Sequence, residues 1–188
     1  MAHFKVDTAH SHVGFAIQHM MVNTLKGQFH DYQFEIEGDL DQPTSLQAKG
    51  TIQVNSIDTY VRDRDDHLQS EDFFDAKQYP EIKFTTKAIE PAGDHYKAQV
   101  EVTFKGHTQD EEFELYVNGS GKNPLSGDTN AGFTLKGELN REDYGLTYNA
   151  PLETGGVFIG KKVKIELNLE TVVELSLIHI SEPTRLGM

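Results

Sequence analysis

A period-two alternation of apolar and polar residues, repeated in short segments, constrains this chain more than any other feature. Val13, Phe15, Ile17 and His19 share one face of a strand, and Phe34, Ile36 and Leu40 share a face of the next. Leu46, Ala48, Gly50, Ile52 and Val54 alternate with Gln47, Lys49, Thr51, Gln53 and Asn55. The pattern returns in Ile82/Phe84, Tyr96/Ala98/Val100/Val102/Phe104, Phe113/Leu115/Val117, Phe133/Leu135/Leu139 and Val163/Ile165/Leu167/Leu169. Turn-forming residues separate the segments: Asp41-Gln42-Pro43, Pro91-Ala92-Gly93-Asp94, Lys105-Gly106-His107 and Asn118-Gly119-Ser120-Gly121. About eight one-sided strands with short connections describe an all-β up-and-down barrel or a sandwich. One-sided alternation also specifies an antiparallel sheet, because strands buried on both faces lose it. Shared parity turns Phe15, Ile17, Phe34, Ile36, Ile52, Val54, Phe84, Val100, Val102, Phe113, Leu115, Leu135, Ile165 and Leu167 inward.

The stretch from Asp58 to Ala76 lacks alternation. Asp58 or Thr59 is suited to cap a short helix with Tyr60, Arg64 and Leu68 on one side. Ser70 is suited to cap a further turn carrying Phe73 and Phe74, and Pro80 ends the insert. A short helical insert across the barrel is therefore expected.

At 188 residues the chain suits one domain that buries most of its apolar surface unaided. It has no cysteine, which excludes disulfides, thiolate nucleophiles and zinc–thiolate centres. A formal net charge of −13 opposes nucleic acid and anionic membranes as partners. The start has no basic region followed by an apolar run, and no stretch approaches the roughly 18 apolar residues of a membrane span. A cytoplasmic protein without stable membrane insertion is the expectation, and a homodimer is left open.

His10 and His12 would share a strand face at a spacing that can chelate a metal, but no third ligand is fixed, so no metal is expected. His19 follows Ile17 in phase and points toward the interior, either as a hydrogen-bonded core or rim histidine or as a ligand contact. Arg62-Asp-Arg-Asp-Asp-His67 reads either as a solvated helix face with local ion pairs or as a mouth where Arg64 meets an anionic head group. The chain has no Gly-rich phosphate loop, no Gly-x-Ser-x-Gly and no His-Glu-x-x-His, so neither a catalytic set nor a cofactor is expected.

Several stretches together resemble the YceI-like, polyisoprenoid-binding family. They are Asp7-Thr-Ala-His-Ser-His-Val-Gly-Phe-Ala-Ile-Gln-His19, Ser56-Ile-Asp-Thr59, Arg64-Asp65-x-His67-Leu68-x-Ser70-x-Asp72-Phe73-Phe74-Asp75 and Tyr79-Pro80-x-Ile82-x-Phe84. Gly106 and Asp143-Tyr144-Gly145 follow in order, while His107 departs from the β-branched residue usual after that glycine. The resemblance covers about residues 3–173 and is nearest to signal-less Gram-positive members. It implies an eight-stranded lipocalin-like barrel whose apolar interior holds an isoprenoid or acyl chain, such as a polyisoprenoid, fatty acid or fatty amide. Phe15, Ile17, His19, Phe34, Ile36, Ile52, Arg64 and Phe84 are the expected ligand contacts. A lipid carrier or buffer is favoured, ahead of an enzyme acting on an isoprenoid or acyl substrate and ahead of a structural or stress protein with a filled barrel.

The strand pattern ends near Glu174. Leu175 to Ile180 back-translate to CTG-TCT-CTT-ATA-CAC-ATC, a transposon-end sequencing adapter, so residues 175–188 are read as a non-native tail to a domain spanning 1–174.

Overall fold

The structure, a computed structural model, describes residues 1–175. Eleven strands occur among them: β1 (Ala2–Val6), β2 (His12–His19), β3 (Asn23–Phe29), β4 (Tyr32–Asp39), β5 (Gln42–Gln53), β6 (Ile57–Asp58), β7 (Glu81–Ala92), β8 (His95–Phe104), β9 (His107–Lys122), β10 (Thr129–Asn140) and β11 (Ile159–Leu175). One helix, α1 (Arg62–Leu68), lies between β6 and β7. Every strand pairing is antiparallel, and β1-β4-β5-β7-β8-β9-β10-β11 close into an eight-stranded ring through β1 and β11.

The ring differs in membership from the strands that alternation singles out. The long β11 carries β10 along one edge. Its other edge is shared, with Thr171–Leu175 paired to β1 and Ile159–Asn168 paired to β2. Strands β2, β3 and β6 thus branch from the ring rather than close it. Strand β3 carries few apolar residues, whereas β1 does alternate, Ala2/Phe4/Val6 against His3/Lys5, but over only five residues; Phe4 and Phe29 are both buried. A 3₁₀ turn, Thr8–His10, breaks the chain between β1 and β2. The Asp7 carboxylate accepts from the Ala9 amide at 3.0 Å, and the Ser11 hydroxyl accepts from the Glu170 amide at 3.1 Å, which tie this step to β11.

Residues 118–121 form no turn. Strand β9 runs on to Lys122, and the register against β10 shifts between Gly132 and Phe133. Gly119, at φ 107°, provides the bulge. Residues 123–128 make the reversal, where the Gly127 amide donates to the Asn123 carbonyl at 2.8 Å.

The helical insert is present with different caps. Val61 is the N-cap of α1 and makes no side-chain cap bond. Asp58 instead accepts from the Tyr60 amide at 2.8 Å, and Tyr60, at φ 70°, projects outward rather than sharing a face with Arg64 and Leu68. Ser70 opens the following turn as expected, its carbonyl accepting from the Phe73 amide at 3.0 Å.

Parity holds inside the barrel. Of the residues read as inward-facing, all but Val54 line one internal cavity, while Val54 is buried in a 3₁₀ turn after β5. Outward positions such as Glu35, Glu37 and Lys49 are exposed. This arrangement is the reverse of a membrane-spanning barrel, whose outer band is apolar. No helix among the described residues is long and apolar enough to cross a membrane. The strand expected to end at Glu174 reaches Leu175, which pairs with Ala2. The rest of the segment read as an adapter, 176–188, lies outside the described residues.

Candidate functional site

The barrel is hollow. Its cavity has a volume of about 670 Å³, within the usual range for small-molecule sites. A filled barrel is therefore not what these strands build. Near β1 the interior is packed, with Phe4 meeting Phe133 edge-to-face at 5.4 Å between centroids. The opposite end is bordered by β2, by α1 and by the 146–159 stretch.

All eight residues expected at the site stand on the wall of this one cavity. Phe15, Ile17 and His19 come from β2, and Phe34 and Ile36 from β4. Ile52 and Phe84 come from β5 and β7, and Arg64 from α1. Phe34 also stacks with Tyr32 at 4.9 Å, and Phe15 tilts against Phe29 at 5.6 Å. His19 lies against Phe158 with 4.9 Å between ring centroids.

Among the described residues Arg64 makes no ion pair, so it is not part of a solvated ion-pair chain. Its Nε donates to the Thr59 hydroxyl at 2.8 Å and its Nη2 to the Thr59 carbonyl at 2.5 Å. Thr59, itself buried, donates from its amide to Asp65 Oδ1 at 2.8 Å and from its hydroxyl to the same oxygen at 2.5 Å. This knot folds α1 back on the segment that precedes it and leaves Arg64 half-buried on the cavity wall. His67 bonds Asp72 at 2.8 Å and packs on Phe73 and Tyr148, extending the aromatic border.

Sequence reasoning missed Arg141, Tyr148, Phe158 and Lys26, all of which line the cavity. Tyr148 and Phe158 sit in an irregular stretch with no periodicity to read. Arg141 had one local signal, Asn140 before a short polar run, and Asn140 does cap that turn through the Glu142 amide at 2.9 Å. Nearby Tyr144 is fully buried, stacks on Phe104 at 4.0 Å and donates to Glu111. Burial and then that bond push its phenol pKa far up, so it stays a neutral donor.

His10 and His12 do not form the two-histidine face that their spacing suggests. His10 belongs to the 3₁₀ turn, while His12 opens β2, so strand geometry does not relate them. His10 Nδ1 instead lies 2.7 Å from Asp7 Oδ2 and 3.9 Å from Glu170 Oε2, an exposed ionic clasp at the β1–β2 step. The hydrogen bond to His10 holds the Asp7 carboxyl below its ordinary value and raises that of His10.

Residues 4–171 match the YceI-like domain. The chain belongs to the YceI-like family. A UPF0312 protein of Staphylococcus epidermidis is 41% identical over 174 residues, covering 93% of this chain and 99% of the relative. A UPF0312 protein of Staphylococcus aureus is 41% identical over 170 residues, covering 90% and 97%. Among solved structures, BcnA of Burkholderia cenocepacia superposes with a TM-score of 0.76 at 25% identity, covering 88% of this chain and 98% of that one. A polyisoprenoid-binding domain from Saccharophagus degradans shares the fold at 15% identity, with a TM-score of 0.63 and coverages of 92% and 98%. The YceI-like barrel thus keeps one architecture across widely diverged sequences.

Proposed function

We propose that this YceI-like barrel binds one long apolar chain, an isoprenoid or an acyl chain, and carries or buffers it. The observation that carries the reading is the cavity, about 670 Å³ in volume and walled by aromatic and aliphatic side chains from every ring strand but β1. Burying one methylene is worth about 0.8 kcal/mol, so ten of them exceed a charged hydrogen bond of about 1.5–3 kcal/mol. Phe15, Ile17, Phe34, Ile36, Ile52 and Phe84 therefore set affinity, while His19 and Arg64 set orientation at the open end. The polyisoprenoid-binding description of the Saccharophagus degradans neighbour is in keeping with such a ligand.

Organic extraction of the protein purified from its own host, followed by mass spectrometry, tests the reading. One co-purifying lipid in stoichiometric amount is expected. An empty protein that also fails to take up a long-chain probe would overturn it, and conversion of the lipid over time would replace carriage with catalysis.

A further inference from the structure

One cavity-lining residue carries a charge that, among the described residues, no carboxylate meets in a direct ion pair. Arg141, in the 3₁₀ turn after β10, is 3% exposed. Its Nε donates to the Gly160 carbonyl at 2.8 Å, its Nη1 to the Leu146 carbonyl at 2.6 Å and its Nη2 to the Ile159 carbonyl at 3.3 Å. A guanidinium has five N–H groups, so two remain beyond these three bonds. The adjacent Glu142 carboxylate makes its ion pair with Lys161, at 3.7 Å, and acts on Arg141 only at longer range. No ion pair to Arg141 occurs among the described residues.

A buried charge is unfavourable unless it is paired, and three carbonyl contacts alone call only for neutral donors, which cost less to bury. Position adds a second argument. Ile159 pairs with His19 across β11 and β2, so Arg141 stands at the same end of the cavity as His19. Among the described residues, the charged ones lining the cavity are Lys26, Arg64 and Arg141, against the single carboxylate of Asp63. On a chain of net charge −13, this is a local reversal of sign.

We propose that this end of the cavity takes the anionic head, a carboxylate or a phosphate, of a single-chain amphiphile, with Arg141 as the buried counter-charge. The inference rests on the reading of the cavity as the holder of an apolar chain. It separates this protein's ligand from neutral lipids of the same length, which would leave the guanidinium unpaired. Arg64 then adds to the field at the mouth while Arg141 meets the head inside it.

Titration calorimetry with oleate, oleyl phosphate and oleamide holds the chain constant and varies only the head. At least one of the two anions is expected to bind at least about tenfold tighter than the amide, consistent with a charge-assisted hydrogen bond in a desolvated site; the tighter anion identifies the head. Arg141→Gln is expected to bring the three affinities together, and Arg141→Lys to retain part of the preference. Equal losses for all three ligands in Arg141→Gln would assign Arg141 to pinning the 146–160 stretch and overturn the inference. If Arg141→Gln does not fold, Arg64→Gln decides. A preference that survives there supports Arg141, and one that vanishes transfers the head to Arg64. Equal binding of both anions and the amide by the wild-type protein overturns the head-group assignment alone, whereas no uptake of any chain overturns the carrier reading and this inference with it.

Discussion

Phe34 and Phe84 meet edge-to-face with 4.9 Å between ring centroids, and the residue between them in the sheet is Gly50. Gly50 pairs with Phe34 on one side and with Phe84 on the other, so the two rings close over a position with no side chain. A methyl group there would lie 2.4 Å from Phe34 Cδ1, 2.7 Å from the Gln33 carbonyl oxygen and 2.8 Å from Phe84 Cε1. The alternation of β5 thus includes a glycine because two neighbouring strands fill its place.

Gly50→Ala should accordingly destabilise the protein. Removing glycine lowers unfolded-chain entropy by an equivalent of about 0.4–1 kcal/mol, but overpacking costs about 1–3 kcal/mol and wins here because backbone is among the contacts. A Tm lower by about 2–8 °C is expected by calorimetry. An unchanged or higher Tm would show that the rings part at no cost.

Affinity should climb with chain length. At about 0.8 kcal/mol per buried methylene, each added CH₂ tightens binding about fourfold until the cavity is full, and then the gain stops. Ile17→Glu, which places a carboxylate on the wall, should weaken uptake of a long-chain probe at least about a hundredfold. Circular dichroism should show the barrel intact. Retained uptake in a folded Ile17→Glu protein would move the ligand off β2.

The α1 segment should open before the barrel does. It contains no fully buried residue, and the hydrogen bonds that hold it centre on Thr59, Arg64 and Asp65. Thr59→Val keeps the shape but removes the hydroxyl that bridges the other two. A loss of about 1–3 kcal/mol is expected, as for other stranded buried polar groups. Amide exchange in 62–68 should then quicken while β8 stays protected. Uniform acceleration through both would mean that α1 unfolds only with the barrel.

The Asp7–His10 clasp predicts a pH window. Asp7 is lowered from an ordinary 3.8, so its contribution to stability is present above that value and is lost as pH falls through its folded pKa. His10 is raised from 6.5, so its contribution is full below that value and is lost as pH rises through its folded pKa. Both are present between about pH 4 and 6.5. The Tm difference between wild type and Asp7→Asn should be largest in that window and shrink on either side. Because His10 is exposed and Asp7 partly so, the pair is screened and added salt should reduce the difference further. A difference independent of pH would leave Asp7 only its role as acceptor for the Ala9 amide.

Among the described residues, strand pairing of β11 extends to Leu175, opposite Ala2. Truncation after Leu175 should therefore leave Tm and probe uptake unchanged. A fall of several degrees would give residues 176–188 a part in the fold.

Local pattern determined much of this protein. Alternation marked the inward faces of β2, β4, β5 and β7–β11, because side chains on a strand point to opposite sides whatever the sheet's topology. The broken pattern from Asp58 to Ala76 marked the helical insert for the same reason. Tertiary structure decided how β11 divides one edge between β1 and β2, because strand partners are chosen by pairing over long separations that no local period records. It also decided whether the inward faces meet or enclose a space, since volume depends on ring closure. Arg64 and Arg141 show the same division. The hexapeptide around Arg64 displayed its charge but not its clasp on Thr59, and nothing near Arg141 in sequence showed that carbonyls of Leu146, Ile159 and Gly160 would hold a cation against an apolar cavity. Burial and its electrostatic consequences belong to the assembled fold, where groups distant along the chain replace water.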